Sequence, residues 1–118
     1  LMDYGFHAPT LSFPVHDTFM VEPTESESKA EMDRFIEAMV SIKRECEAAV
    51  GKENSVVTNA PHTAKEIAGE WSHSYTREQA AFPLPWVAAG KSFPYVSKIA
   101  IGYGDRNLCP CCVALYEE

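Results

Sequence analysis

Residues 24–51, TESESKAEMDRFIEAMVSIKRECEAAVG, decide how the rest of the chain must fold. Thr24-Glu25-Ser26-Glu27 and Ser28-Lys29-Ala30-Glu31 each place a glutamate three residues after a hydroxyl. That reciprocal pattern satisfies the first free N–H groups of a helix. Met32, Phe35, Ile36, Met39, Val40 and Cys46 then recur at helical intervals, opposite Asp33, Arg34, Glu37, Lys43, Arg44, Glu45 and Glu47. The spacing predicts one long amphipathic helix to about Val50, with Gly51 as its stop.

Working back from this helix, FHAPTLSFPV (6–15) mixes strand-forming residues with Pro9 and Pro14, which only an edge strand tolerates. His16-Asp17 reads as a turn, and Thr18-Phe19-Met20-Val21 as a second short strand closed by Pro23. The two are expected to pair as an antiparallel hairpin.

Working forward, residues 51–61 read as a polar loop. Thr63 with Glu66 permits a capping box for a short helix from Ala64 to Gly69, and Thr76 caps a further turn or two within Tyr75–Ala81. Pro83 and Pro85 end that helix. From Phe82 to Tyr95 the density of aromatic and proline residues predicts an extended segment laid over an apolar surface. Val96–Tyr103 reads as a last strand and Gly104-Asp105-Arg106-Asn107 as a turn. The chain is therefore expected to be a single α+β domain over 1–118, a short antiparallel sheet with one long helix.

Composition narrows the function. The chain has 118 residues, 46% hydrophobic and 23% charged, which is one ordinary folded domain. A net charge of −7 with scattered Lys and Arg repels phosphate backbones, so no nucleic acid is expected. No run of about 18 apolar residues is present for a membrane span, and no basic region followed by an apolar one forms a signal peptide. Cys46 stands alone while Cys109, Cys111 and Cys112 cluster, unlike the spread staples of a secreted scaffold. A reducing interior is the expectation, cytoplasmic in a bacterium and mitochondrial in a eukaryote.

Candidate chemistry is sparse. Cys109-Pro110-Cys111-Cys112 contains a CxxC, half a zinc site or a redox pair, but His62 and His73 are the only further donors nearby, at irregular spacing. No metal site is expected. His62, after a proline, and His73, beside Trp71, read as surface residues. The acids Glu22, Glu25 and Glu27 sit where a helix dipole favours them. None of the six lysines, Lys29, Lys43, Lys52, Lys65, Lys91 and Lys98, has the apolar or glycine-rich surroundings that would desolvate a nucleophilic amine. No phosphate-cradling, nucleophile-elbow or metalloprotease motif is present.

The residues carry a specific resemblance. Leu1-Met2-Asp3-Tyr4-Gly5-Phe6-His7-Ala8-Pro9-Thr10, Val21 through Glu31, and Asp33-Arg34-Phe35 resemble the C-terminal region of glycine dehydrogenase (decarboxylating), the P-protein of the glycine cleavage system. Asn59-Ala60-Pro61-His62, Tyr75-Thr76-Arg77-Glu78, Ala80-Ala81-Phe82-Pro83, Pro85-Trp86 and Tyr103-Gly104-Asp105-Arg106 follow in the same order as in that family. The terminal cysteines depart from its pattern, as does Lys91-Ser92-Phe93-Pro94, which lacks a second aromatic.

The resemblance implies the small C-terminal domain of a fold-type-I pyridoxal-phosphate enzyme. It places the cofactor lysine upstream, leaving no cofactor-binding residue here. It also implies decarboxylation of glycine on the cofactor, with transfer of the aminomethyl group to the lipoyl arm of a separate H-protein. The abrupt start at Leu1 fits a cut through such a longer enzyme. Contacts with the enzyme's own cofactor domain and a neighbouring subunit are expected, and the chain alone is expected to be inactive and to self-associate. Within it, His7 and Thr10 are the candidate site residues, a polar pair in an otherwise apolar strand. The competing expectation is a free-standing interaction module that docks through its aromatic and proline segment.

Overall fold

A computed structural model describes residues 1–98; the expected strand beyond Lys98, the turn at 104–107 and the cysteines at 109–112 lie outside the described residues. The chain opens with a 3₁₀ turn, Met2–Tyr4, closed by Gly5 at φ +84°, a left-handed conformation that glycine adopts without strain. Strands β1 (Thr10–Leu11) and β2 (Phe19–Met20) pair antiparallel, with Thr10 opposite Met20 and Leu11 opposite Phe19. The expected hairpin forms, but each strand keeps only two residues.

Helix α1 spans Lys29–Ala49, with Ser28 accepting from the Glu31 N–H as its N-cap. Gly51 follows at φ +75°. Thr24 begins no helix; its hydroxyl bonds that of Ser26 instead. Residues 51–61, expected as loop throughout, contain a turn of helix, α2 (Val56–Asn59), because Ser55 and Thr58 cap each other reciprocally. Helix α3 (Ala64–Ala68) carries the capping box read from Thr63–Glu66, and α4 (Arg77–Ala81) is capped by Thr76 as expected, with Gln79 completing a box of its own.

The aromatic and proline segment is not extended throughout, as the sequence reading had it. Pro85 sits in the first turn of helix α5 (Pro85–Ala89), where its missing N–H is no loss and its fixed φ is already helical. This helix closes the core. Tyr4, Ala38 and Val87 are buried together, with Phe6, Ile42, Leu84 and Trp86 packed around them. Arg34 lies 4.6 Å from the Trp86 ring centroid and 5.5 Å from that of Phe6, and Phe6 meets Phe35 edge-on at 5.4 Å.

Helix α1 buries a different face from the one its apolar spacing indicates. Ala38 is fully buried, whereas Ile36 is 57% exposed and Met32 and Val40 are also exposed. The inward stripe runs through Arg34, Ala38, Ser41, Ile42 and Glu45, about a third of a turn away. The small side chain of Ala38 lets Tyr4 and Val87 approach closely, and the Tyr4 hydroxyl satisfies the polar groups beside it.

Candidate functional site

The most buried polar cluster joins three segments distant in sequence. The 3₁₀ turn carries Asp3, 5% exposed, and the residue before the α3 cap is His62, 1% exposed. Asp3 receives two hydrogen bonds from this one residue, Oδ1 from the His62 backbone N–H and Oδ2 from its Nδ1, both at 2.8 Å. On the far side of the ring, His62 Nε2 lies 2.7 Å from the Tyr75 hydroxyl. A carboxylate can only accept, so Nδ1 of His62 carries a proton toward Asp3, and Nε2 shares the second hydrogen bond with the Tyr75 hydroxyl.

Aromatic groups wall the histidine in. Trp71 donates from Nε1 to the Tyr75 carbonyl at 2.6 Å, and His73 stacks on the Tyr75 ring with centroids 5.0 Å apart. Burial raises the Tyr75 hydroxyl above the ordinary tyrosine range, which keeps it a donor. Lys91 reaches in from behind α5, its Nζ 2.6 Å from the Asp3 carbonyl oxygen and 5.1 Å from the Phe93 ring centroid. Burial lowers its affinity for a proton, against the attraction of the Asp3 charge.

This corrects the reading of His62 as a surface residue. His73 is half-buried rather than free at the surface. A usable signal was present: His62 immediately precedes the Thr63 N-cap, the position whose side chain packs back against the helix it introduces. Asp3 and Tyr75 carried no sequence signal of their own. With all its polar atoms satisfied and no open face, His62 ties the N-terminal turn to the α3–α4 region rather than meeting a substrate.

A second tie runs from the same turn. The Tyr4 hydroxyl donates to Glu45 Oε1 at 2.6 Å and lies 2.9 Å from Ser41 Oγ. Burial, then the bond to Glu45, pushes the tyrosine well above its ordinary range. Burial also raises Glu45, against the Tyr4 hydrogen bond that favours its charged form.

The two residues singled out from the sequence lie elsewhere. His7 is exposed and lines a shallow cleft with Phe6, Phe93 and Tyr95. Thr10 is exposed on β1 and is not part of that cleft. Among the described residues, no group of three or more His, Cys, Asp and Glu side chains is placed to hold a metal ion, and no helix is long and apolar enough to cross a membrane.

A small α+β unit of this construction, with GFHAPT after its first turn and VEPTESE leading into its long helix, has known relatives. Residues 1–62 match the family described as glycine dehydrogenase, C-terminal domain, and the chain belongs to that family. Over 117 residues it is 59% identical to the glycine dehydrogenase (decarboxylating) of Dechloromonas aromatica. The same comparison gives 56% identity with the protein of that name from Nostoc punctiforme and 54% with that from Bdellovibrio bacteriovorus. Each alignment covers 94% of this chain but 12% of the relative, so the chain spans about an eighth of the length of the proteins it matches.

The described residues do not fit the pyridoxal phosphate that the resemblance implies. Its lysine must stand free in a pocket beside a phosphate cradle. Here Lys29 pairs with Asp33 and Lys43 with Glu47, while Lys91 and Lys98 donate to the carbonyls of Asp3 and Thr58. Lys52 and Lys65 are exposed.

Proposed function

We propose that this chain serves as the C-terminal domain of a cytoplasmic, pyridoxal-phosphate-dependent glycine decarboxylase of fold type I. The reaction is decarboxylation of glycine with transfer of the aminomethyl group to the lipoyl arm of an H-protein. The observation that carries the reading is identity of 54–59% over 94% of the chain to proteins named glycine dehydrogenase (decarboxylating). Because no described lysine fits the cofactor, the chain's contribution is architectural. It packs against the cofactor domain of its own subunit or of a neighbouring one and shapes the approach to the cleft. His7, exposed beside Phe93 and Tyr95, and Thr10, exposed on the hairpin, are the side chains that would face that domain.

The 118-residue chain mixed with glycine and pyridoxal phosphate should give no glycine-dependent absorbance change and no exchange of labelled bicarbonate. The complete enzyme should give both. A robust signal from the chain alone would overturn the reading. In the complete enzyme, His7→Ala and Thr10→Val should lower kcat/KM for glycine without lowering thermal stability. Unchanged kinetics in both would remove them from the site.

A further inference from the structure

An apolar groove lies between the end of the hairpin and the first turns of α1. Val21, Met32, Phe35 and Ile36 line its floor and Glu22 and Glu27 its rim, around a cavity of about 320 Å³. The floor continues along the helix through exposed Val40, so Met32, Phe35, Ile36, Met39 and Val40 make a stripe of helical period. The chain's own core uses another face of α1. Contiguous apolar surface of this kind, rimmed by charge, marks an interaction site in soluble proteins.

We infer that this groove docks a basic amphipathic helix supplied by another polypeptide segment. Period sets the shape of the occupant: a stripe at i, i+3, i+4 and i+7 is the complement of a second helix laid alongside α1. Charge sets its chemistry. The acids of α1 have partners of their own: Asp33 pairs with Lys29, Glu31 with Arg34 and Glu47 with Lys43, while Glu37 accepts from Trp86 and Glu45 from Tyr4. Glu22 and Glu27 have none among the described residues. Lys or Arg flanking the apolar stripe of the incoming helix would meet them. A second copy of this chain is the poorer occupant, because it would bring the same acids to the same rim. The inference does not depend on the reaction proposed above.

The test uses the 118-residue chain and two synthetic helices of about 18 residues, one of Leu and Lys, the other with Glu in place of Lys. Fluorescence anisotropy should show the Leu/Lys helix binding and the Leu/Glu helix binding about tenfold more weakly, as expected when two rim ion pairs are replaced by two like-charge contacts. Ile36→Ser, at an exposed position and checked for folding by circular dichroism, should weaken binding. The pair Glu22→Lys with Glu27→Lys should abolish the preference between the helices. The remote pair Glu53→Lys with Glu70→Lys, with the same change of net charge, should leave it intact. Equal losses in both pairs would reduce the effect to general attraction for an acidic protein and overturn the proposal. So would no binding, or self-association that Ile36→Ser abolishes while neither helix binds.

Discussion

Asp3 and Tyr4 are among the most buried residues of the chain, while every residue from Thr10 to Ala30 is exposed. In the first region the side-chain oxygens of Asp3 and Tyr4 all have partners, and each of those partners comes from a distant segment. In the second, Leu11, Phe13, Val15 and Phe19 stand on a hairpin with much of their surface exposed. A two-stranded hairpin is at best marginal in water unless something packs on it. The contrast separates what this chain stabilises by itself from what it offers to a neighbour.

Breaking the Asp3–His62 tie should have the largest effect. His62→Leu fills the space and keeps the backbone N–H to Asp3 Oδ1, but it strips Oδ2 of its donor inside the fold, and removing one partner of a buried charged pair costs about 3–5 kcal/mol. Denaturant titration should show a loss of that size. A loss under about 1 kcal/mol would mean that Asp3 escapes to water and that the tie is not structural.

The second tie should respond next, and its response depends on pH. Tyr4→Phe strands Glu45 and should cost about 1–3 kcal/mol. Glu45→Gln keeps an acceptor for the hydroxyl and should cost little at neutral pH. Because burial holds Glu45 above its ordinary value of 4.5 in the folded state, the folded chain binds the extra proton first. Stability therefore falls as pH rises from 4.5 through the folded-state value, and it is fully present below. Glu45→Gln should flatten that slope, measured by thermal melts across the interval.

What the sequence made legible follows from where the determinants lie. Ser28 with Glu31, Thr63 with Glu66 and Thr76 with Gln79 are local, so the starts of α1, α3 and α4 could be read directly. Thr63→Ala should still cost only about 1 kcal/mol, because a cap satisfies one or two backbone groups. The buried face of α1 was not legible, because Ala38, Ser41 and Glu45 become interior only when Tyr4 arrives from 37 and 41 residues away. Nor was Pro85 as a helix start, since proline opens a helix and ends one with equal ease. The family resemblance could be read because it rests on contiguous motifs. The Asp3–His62–Tyr75 cluster could not, because it spans 59 residues on one side and 13 on the other.

The smallest effect is the one that sharpens the contrast most. Phe13→Ser and Leu11→Ser remove large apolar side chains, a change that costs several kcal/mol in a core. Here both positions are more than half exposed, so each should shift the stability of the chain by under about 0.5 kcal/mol. The same substitutions in a complete enzyme, where a partner surface covers the hairpin, should cost several times more, because the area removed from water is then real. Paired melts of chain and enzyme measure that difference directly. Equal small shifts in both would mean that the hairpin stays bare in the assembly, and that its apolar residues serve something that binds from outside.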